Sequence, residues 1–283
     1  MFKKNSKKII AMLLLVCMVF AFTGCGQQKS SADEASSKEE VLSEVEKIKK
    51  AGKIVVGTCA DYPPYEFHKE MDGEDTIVGF DIEIAKAIAK ELDVELEIKD
   101  MKFDGLLPAL VTNKIDFIAA GMNPTEERAK SVDFSKVYYK EEQRILVKKE
   151  LVDKIKGKED FKGLKIGAQK ATIQQKLAQS IEGAEPKLLS KITDLVLELS
   201  NDKIQGIVLV KPVAEAYAKQ NEDLAVLDLD LGTGNEADSS VAIAINKGNE
   251  ALLQSIDKTL DQLMSEGKVD EFIAEAVKLS EEE

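Results

Sequence analysis

Strand-like and helix-like segments alternate along this chain, and the alternation is made twice. The first series predicts strand, helix, strand, helix and strand at residues 53–58, 79–93, 94–99, 103–114 and 115–121. The second series follows the same order at residues 164–169, 172–181, 186–190, 192–202 and 206–210. Alternation of this kind predicts parallel strands joined by crossover helices. The sequence therefore predicts an α/β protein with two mostly parallel sheets flanked by helices.

A short internal repeat supports two related lobes. Residues 110–118 (LVTNKIDFI) align with residues 199–207 (LSNDKIQGI) without a gap. The length of 283 residues also suffices for two domains. We therefore expect the two series to fold into two lobes of similar construction.

Two strand-like segments are predicted to connect the lobes. Residues 141–150 (EEQRILVKKE) leave the first series, and residues 240–248 (SVAIAINKG) come after the second and precede C-terminal helices. Two crossings form a hinge, and the cleft between hinged lobes is the natural place for a ligand. The predicted boundaries are lobe 1 at 53–142 plus 239–283, lobe 2 at 143–238, and hinge segments at 141–148 and 238–246.

The N-terminus predicts export and lipid attachment. Four lysines precede an apolar run from Ile9 to Phe22, which is the pattern of a signal peptide at residues 1–24. The letters FTGC at 22–25 resemble a bacterial lipobox, in which Cys25 would be diacylated. Residues 25–52 would form a lipidated tether and lead-in helix, placing the protein on the outer face of the cell membrane. The alternative is a short membrane anchor, for which the apolar run is rather short.

Composition excludes several classes of function. The net charge of −13 becomes four units more negative once the leader's lysines are removed, which argues against nucleic acid as a partner. Cys59 would be the only cysteine left unmodified, so no intramolecular disulfide is expected. His68 is the only histidine and has no second ligand at metal spacing. We expect neither a metal nor a cofactor.

Arg128 is one of only two arginines in a lysine-rich chain. Residues 123–126 (NPTE) just before it predict the start of a helix, with an asparagine cap and proline at the first position. Free amides at a helix start, together with a guanidinium, could bind a carboxylate. Residues 172–175 (TIQQ) predict a second helix start, capped by Thr172, that could face the same cleft. The alternative is an exposed Arg128 that pairs with a neighbouring glutamate.

Five segments resemble the signature of solute-binding proteins of polar amino-acid ABC transporters. They are residues 60–67 (ADYPPYEF), 79–92 (GFDIEIAKAIAKEL), 103–110 (FDGLLPAL), 123–135 (NPTEERAKSVDFS) and 211–217 (KPVAEAY). The resemblance begins near residue 53 and follows the family's order to the C-terminus. It implies a type II periplasmic-binding fold whose two lobes close on a free amino acid. It also implies an ABC transporter permease as partner, no enzymatic activity and a monomer.

The resemblance implies roles for individual residues. The implied ligand-binding set is Tyr62, Phe103, Gly121, Asn123, Thr125, Arg128, Thr172 and Val210. Arg128 would bind the α-carboxylate, with help from the backbone near Asn123 and Thr125 and from Thr172 across the cleft. Gly121 would offer a backbone group to the α-amine. Tyr62 and Phe103 would enclose the ligand side chain, although ordinary core packing is their alternative role.

Two positions depart from the family pattern. Val210 stands where the family usually has an acid that pairs with the α-ammonium, and a buried ammonium without a carboxylate is costly. Either another acid, such as Asp61 or Asp238, replaces it, or the ligand is a carboxylate compound that lacks a free ammonium, or the affinity for amino acids is poor. Ala171 stands where glycine commonly precedes the threonine.

Two further alternatives remain open at the level of sequence. A few proteins of this fold are enzymes, such as dehydratases that act on carboxylated rings, and the acids needed for such chemistry are plentiful here. A signalling or adhesive lipoprotein without a transporter is the other alternative.

Overall fold

The computed structural model describes residues 43–282. The predicted signal peptide 1–24, the lipidation site Cys25 and the tether up to residue 42 lie outside the described residues. The helices are α1 (Glu44–Ala51), α2 (Phe80–Leu92), α3 (Phe103–Val111), α4 (Ile173–Ser180), α5 (Ile192–Ser200), α6 (Lys211–Gln220), α7 (Glu250–Ser265) and α8 (Lys268–Glu281). None of these helices is long and apolar enough to cross a bilayer.

The described strands are short and belong to four sheets. The first eight are β1 (Lys53–Thr58), β2 (Asp61–Tyr62), β3 (Glu66–Met71), β4 (Glu74–Val78), β5 (Glu95–Asp100), β6 (Phe117–Ile118), β7 (Val132–Phe134) and β8 (Tyr139–Lys140). The others are β9 (Gln143–Lys148), β10 (Lys165–Gln169), β11 (Glu185–Leu189), β12 (Gly206–Val210), β13 (Leu224–Leu227), β14 (Ser240–Val241) and β15 (Ala244–Asn246).

Lobe 1 is built on a five-stranded sheet with the order β5-β1-β6-β15-β7. β1 runs parallel to β5 and β6, whereas β15 runs antiparallel to β6 and β7. Helix α2 buries Ile84, Ala85, Ile88 and Leu92, whose spacing places them on one face. The C-terminal helices α7 and α8 pack against α2, so the end of the chain returns to lobe 1.

Lobe 2 repeats this construction with the order β11-β10-β12-β9-β13. β10 runs parallel to β11 and β12, and β9 runs antiparallel to β12. In both sheets the fourth strand, β15 or β9, therefore runs antiparallel to the three parallel strands beside it. The predicted architecture of two lobes with mixed, mostly parallel sheets is confirmed.

The internal repeat seen in the sequence also holds in three dimensions. Gly57 of β1 and Gly167 of β10 lie at equivalent places, each facing the strand that the repeat aligns, β6 or β12. A Cβ atom at Gly57 would lie 2.3 Å from Ile115 Cδ1, and one at Gly167 would lie 2.7 Å from Ile204 Cδ1. Ile115 and Ile204 are themselves equivalent in the repeat. In each lobe the lack of a side chain on the glycine therefore lets the equivalent isoleucine pack against the strand.

Two paired strands connect the lobes. β8 and β14 run antiparallel, with Ser240 opposite Lys140 and Val241 opposite Tyr139. β9 of lobe 2 begins three residues after β8, and β15 of lobe 1 begins three residues after β14. β14 lies inside the predicted hinge segment 238–246, but β8 lies just before the predicted segment 141–148, whose strand β9 belongs to the lobe 2 sheet.

Candidate functional site: a pocket between the lobes

A narrow, almost completely filled pocket lies between the two lobes. Its lining residues are Cys59, Asp61, Tyr62, Glu66, Phe103, Ala120, Gly121, Asn123, Gln169, Thr172 and Gln174. Several follow the carboxyl ends of β1, β6 and β10, which is where ligands bind in parallel sheets. The sheet topology thus brings loops of both lobes to one small cavity.

Arg128 lies inside the cleft and not on the surface. Only 8% of it is exposed. Its Nη1 donates to the carbonyl oxygen of Asn123 at 2.8 Å, and its Nη2 donates across the cleft to that of Ala171 at 2.9 Å. The guanidinium carbon lies 5.4 Å from the centre of the Phe103 ring, within range of a cation–π contact. The alternative of an exposed arginine paired with a glutamate is therefore wrong.

The predicted helix at 123–126 is wrong. The chain forms only one 3₁₀ turn, Arg128–Lys130. The Asn123 side chain donates instead to Glu141 Oε2 and to the Ser240 carbonyl oxygen, both at 2.9 Å. Thr125 provides the local cap, since its hydroxyl accepts from the Arg128 amide at 3.2 Å. At this point the group suited to an anion is therefore the guanidinium and not a helix start.

Four of the predicted lobe 1 residues come together at the pocket: Tyr62, Phe103, Gly121 and Asn123. Gly121 has a positive φ of 52°, and its amide donates to a carboxylate of α2, Asp81 Oδ2, at 2.8 Å. Thr125 and Arg128 line an adjoining open groove between the lobes, together with Ala171 and Thr172. Arg128 is therefore not itself part of the pocket lining, although its guanidinium contacts two residues that are, Asn123 and Phe103.

In lobe 2 the predicted cap is present. The Thr172 hydroxyl accepts from the Gln175 amide at 3.1 Å at the start of α4. The reciprocal bond of a capping box is absent. The Gln175 side chain accepts from the Ala171 amide at 2.9 Å and not from the Thr172 amide. Ala171 itself has a φ of 63°, a left-handed conformation that glycine adopts more easily.

Among the residues that the structure describes, Val210 is not part of the pocket lining. It is fully buried at the end of β12, where it belongs to the apolar core. Asp238 lies in a 3₁₀ turn, Ala237–Ser239, and is likewise not part of the pocket lining. Of the two acids named from the sequence as replacements, only Asp61 lines the pocket.

Sequence reasoning missed Glu66, which also lines the pocket. Glu66 is fully buried, and within the described part of the chain neither carboxylate oxygen has a hydrogen-bond partner of good geometry, although the Cys59 amide lies close enough to lower its pKa slightly. Burial raises the pKa of Glu66 well above its usual value, and nearby Asp81 and Asp61 raise it further. A buried polar side chain normally has a partner, so this carboxyl group is a candidate ligand contact. The signal in the sequence is an acid between two aromatic residues, Tyr65 and Phe67.

Other buried carboxyl groups surround Glu66. Burial raises the pKa of Asp81 to about 7, against the opposing hydrogen bonds from the Gly121 amide and the Tyr138 hydroxyl. Burial raises the pKa of Glu141 to about 7 as well, although Tyr65 and Asn123 donate to it. Burial lowers the pKa of Arg128 to about 10, so the guanidinium remains charged at neutral pH.

Cys59 also lines the pocket, as a buried thiol. Its Sγ donates to Asp61 Oδ1 at 3.3 Å, and burial raises its pKa. It is therefore not an activated nucleophile. His68 is exposed on β3 and pairs with Asp75 at 2.9 Å. The described residues contain no cluster of three side chains suited to a metal.

The fold and site define a two-lobe solute-binding protein, with a buried cation on one side of a small pocket and an unpartnered acid within it. The chain belongs to the bacterial extracellular solute-binding proteins, family 3, whose model matches residues 54–277. This membership confirms the family recognised from its motifs.

Known relatives agree with this class. The arginine-binding extracellular protein ArtP of Bacillus subtilis is 35% identical over 94% of this chain and 96% of its own length. The amino-acid ABC transporter substrate-binding protein AbpA of Streptococcus pneumoniae, bound to L-arginine, is 37% identical with a TM-score of 0.80. The match covers 84% of this chain and all of that one. The predicted function, an amino-acid-binding component of an ABC transporter, is confirmed by these matches.

One structural neighbour is related to an enzyme and therefore bears on the alternative that this fold carries an enzymatic activity. The ancestral amino-acid-binding protein AncCDT-1, a precursor of cyclohexadienyl dehydratase, is 35% identical with a TM-score of 0.75. The match covers 83% of this chain and all of that one. That neighbour is itself described as a binding protein.

Proposed function

We propose that this protein captures a cationic amino acid of the arginine type for import. The observation that carries the proposal is the buried, unpartnered carboxyl group of Glu66 in a pocket bordered by Arg128. Arg128 would take the α-carboxylate through its remaining N–H groups, and Thr172 would approach from lobe 2. Glu66 would take the positive charge of the side chain between Tyr62 and Phe103. The two arginine-binding relatives are consistent with this assignment.

Calorimetry with arginine and citrulline tests the proposal. Citrulline has nearly the shape of arginine but is neutral at the end of its side chain, so it should bind much more weakly. Glu66→Gln should weaken arginine binding by about 30-fold or more, since it removes one partner of a buried charge pair. Asp116→Asn is the matched control, because Asp116 is a half-buried acid of lobe 1 outside the pocket. Equal affinity of the wild type for both ligands would contradict the proposal.

Val210 supports a second candidate, a carboxylate ligand without a free α-ammonium. The lobe 2 residues that line the pocket, Gln169, Thr172 and Gln174, are all neutral. No acid of lobe 2 therefore lines the pocket in the described residues. The deaminated analogue 5-guanidinopentanoate separates the candidates: equal or tighter binding than arginine favours the second, and a large loss favours the first.

We also propose that the protein is a receptor and not an enzyme. The raised pKa of the Cys59 thiol argues against nucleophilic catalysis in the pocket. Prolonged incubation of the protein with its bound amino acid, followed by mass spectrometry of the ligand, should return the ligand unchanged. Conversion of the ligand at a rate proportional to protein would overturn this.

We also propose that the protein is attached to the membrane by a lipid and delivers its ligand to a permease. Cys25 would carry the lipid that holds the receptor on the outer face of the membrane, where a permease would receive the ligand, and the receptor would act as a monomer. Cys25→Ser should release the protein into the medium, whereas wild-type protein should stay in the membrane fraction. We also propose that the signal peptide ends at residue 24 and the tether at residue 52, and that lobe 2 runs from residue 143 to residue 238.

A further inference from the structure

Two carboxyl groups line the pocket, and they differ in what they contact. Glu66 has no side-chain partner, and no hydrogen bond of good geometry, among the described residues. Asp61, which is 5% exposed, accepts through Oδ2 from the Ile192 amide at 2.7 Å. Its Oδ1 lies 3.5 Å from Gln169 Nε2 and 3.3 Å from Cys59 Sγ. Asp61 is therefore already engaged, whereas Glu66 is available to a ligand.

The partners of Asp61 belong largely to the other lobe. Asp61 lies on β2 of lobe 1, and Ile192 is the first residue of α5 in lobe 2. Amides in the first turn of a helix have no partner within the helix. The residue at the cap position, Lys191, makes no side-chain cap bond. Lobe 1 thus supplies the acidic cap of a lobe 2 helix, a location that suits a negative charge.

A second contact holds the backbone of the same residue. The Tyr217 hydroxyl, on α6 of lobe 2, donates to the Asp61 carbonyl oxygen at 2.8 Å. Tyr217 is buried and is not part of the pocket lining. Opening the cleft would separate Asp61 from both helices at once. These bonds therefore belong to the closed arrangement alone.

We propose that Asp61 is a positioning residue that stabilises the closed form through α5 and α6 and thereby lengthens the residence time of the ligand. The two pocket carboxyl groups then have separate tasks, with Asp61 holding the lobes and Glu66 holding the ligand cation. The second task rests on the proposed function, whereas the first does not depend on which ligand is bound.

Tyr217→Phe tests the proposal without altering the pocket wall. Stopped-flow measurements with L-arginine should show a dissociation rate about 2- to 10-fold faster, as expected for one buried hydrogen bond, and a nearly unchanged association rate. Asp61→Ala should have a larger effect in the same direction. Asp61→Asn should restore part of the loss, because its amide oxygen can still accept from the Ile192 amide.

Lys176→Gln is the control. Lys176 pairs with Glu127 across the same cleft at 2.9 Å, but both side chains are exposed. Exposed pairs contribute little, so this variant should change the dissociation rate by less than about twofold. An equal effect of Lys176→Gln and Tyr217→Phe would show that any contact between the lobes suffices, which would overturn the special role of Asp61.

Small-angle X-ray scattering separates this proposal from the ligand assignment. If L-arginine does not bind the wild type, the ligand assignment fails, but the radius of gyration still reports on closure. Asp61→Ala should then have a larger radius of gyration than the wild type, with both proteins folded by circular dichroism. Unchanged dissociation rates in both variants, or an unchanged radius where arginine does not bind, would overturn the proposal.

Discussion

The guanidinium of Arg128 in lobe 1 donates a hydrogen bond of 2.9 Å to the carbonyl oxygen of Ala171 in lobe 2. The same group lies over the Phe103 ring and donates to the Asn123 carbonyl oxygen within its own lobe. A planar cation with several donors can make these contacts and still offer N–H groups to a carboxylate. The proposed ligand site and a contact between the lobes therefore share one side chain.

Arg128→Lys should weaken the binding of arginine by about 10- to 100-fold. Lysine keeps the charge but loses the two-pronged geometry and one of the backbone contacts. Calorimetry measures the loss. Arg144→Lys, which changes the other arginine of the chain, should leave affinity within about twofold, because Arg144 pairs with Glu142 at 2.8 Å outside the pocket. Unchanged affinity in Arg128→Lys would show that Arg128 does not hold the carboxylate.

Ala171→Gly should stabilise the fold. At a φ of 63° an alanine carries strain of about 1–2 kcal/mol, which exceeds the extra flexibility that glycine gives the unfolded chain. Urea unfolding should show a gain of up to about 1 kcal/mol. Ala218→Gly, in the interior of helix α6, should instead lose about 1 kcal/mol. A loss in both variants would mean that the conformation at Ala171 is not strained.

Glu141→Gln should flatten the dependence of stability on pH. The pKa of Glu141 is raised from 4.5 to about 7 in the folded protein. Between these values the folded state keeps a proton that the unfolded state releases, so the free energy of unfolding falls as pH rises. The slope should decrease by about 1.4 kcal/mol per pH unit, the value for one proton. Urea unfolding at several pH values measures it, and an unaltered slope would contradict the raised pKa.

The affinity for arginine should increase as the pH rises above the range in which a glutamate carboxyl group usually ionises. Burial raises the pKa of Glu66, and only the ionised carboxylate attracts a guanidinium. Binding should therefore release up to about one proton, which calorimetry detects by comparing buffers of different ionisation enthalpy. In Glu66→Gln the proton release should be smaller by the same amount. Release that is unaltered in this variant would assign the titration to another group.

The features that depend on local pattern were predictable from the sequence. The strand at 53–58 was predicted with the bounds that β1 has, and the helix at 79–93 differs from α2 by one residue at each end. The repeat between 110–118 and 199–207 predicted equivalent strands, and the matched contacts of Gly57 and Gly167 agree with it. Hydrophobic periodicity determines such elements, because burial of one face is a local requirement.

The features that depend on distant partners were not predictable. Residues 123–126 carry a helix-start signature, but Asn123 bonds to Glu141 and Ser240, which are distant along the chain. The proposed role of Glu66 rests on its lack of well-placed partners, which is visible only after the surrounding described residues are placed. In the first case tertiary contacts override the local helix-start pattern. In the second case only the geometry of the pocket identifies the residue.

A crystal structure of the protein with L-arginine tests the central claim most directly. The account predicts one arginine in the pocket between the lobes, with its carboxylate about 2.7–3.1 Å from the Arg128 guanidinium and its own guanidinium at similar distance from Glu66. An arginine bound elsewhere, or bound in the pocket with its carboxylate away from Arg128, would contradict it.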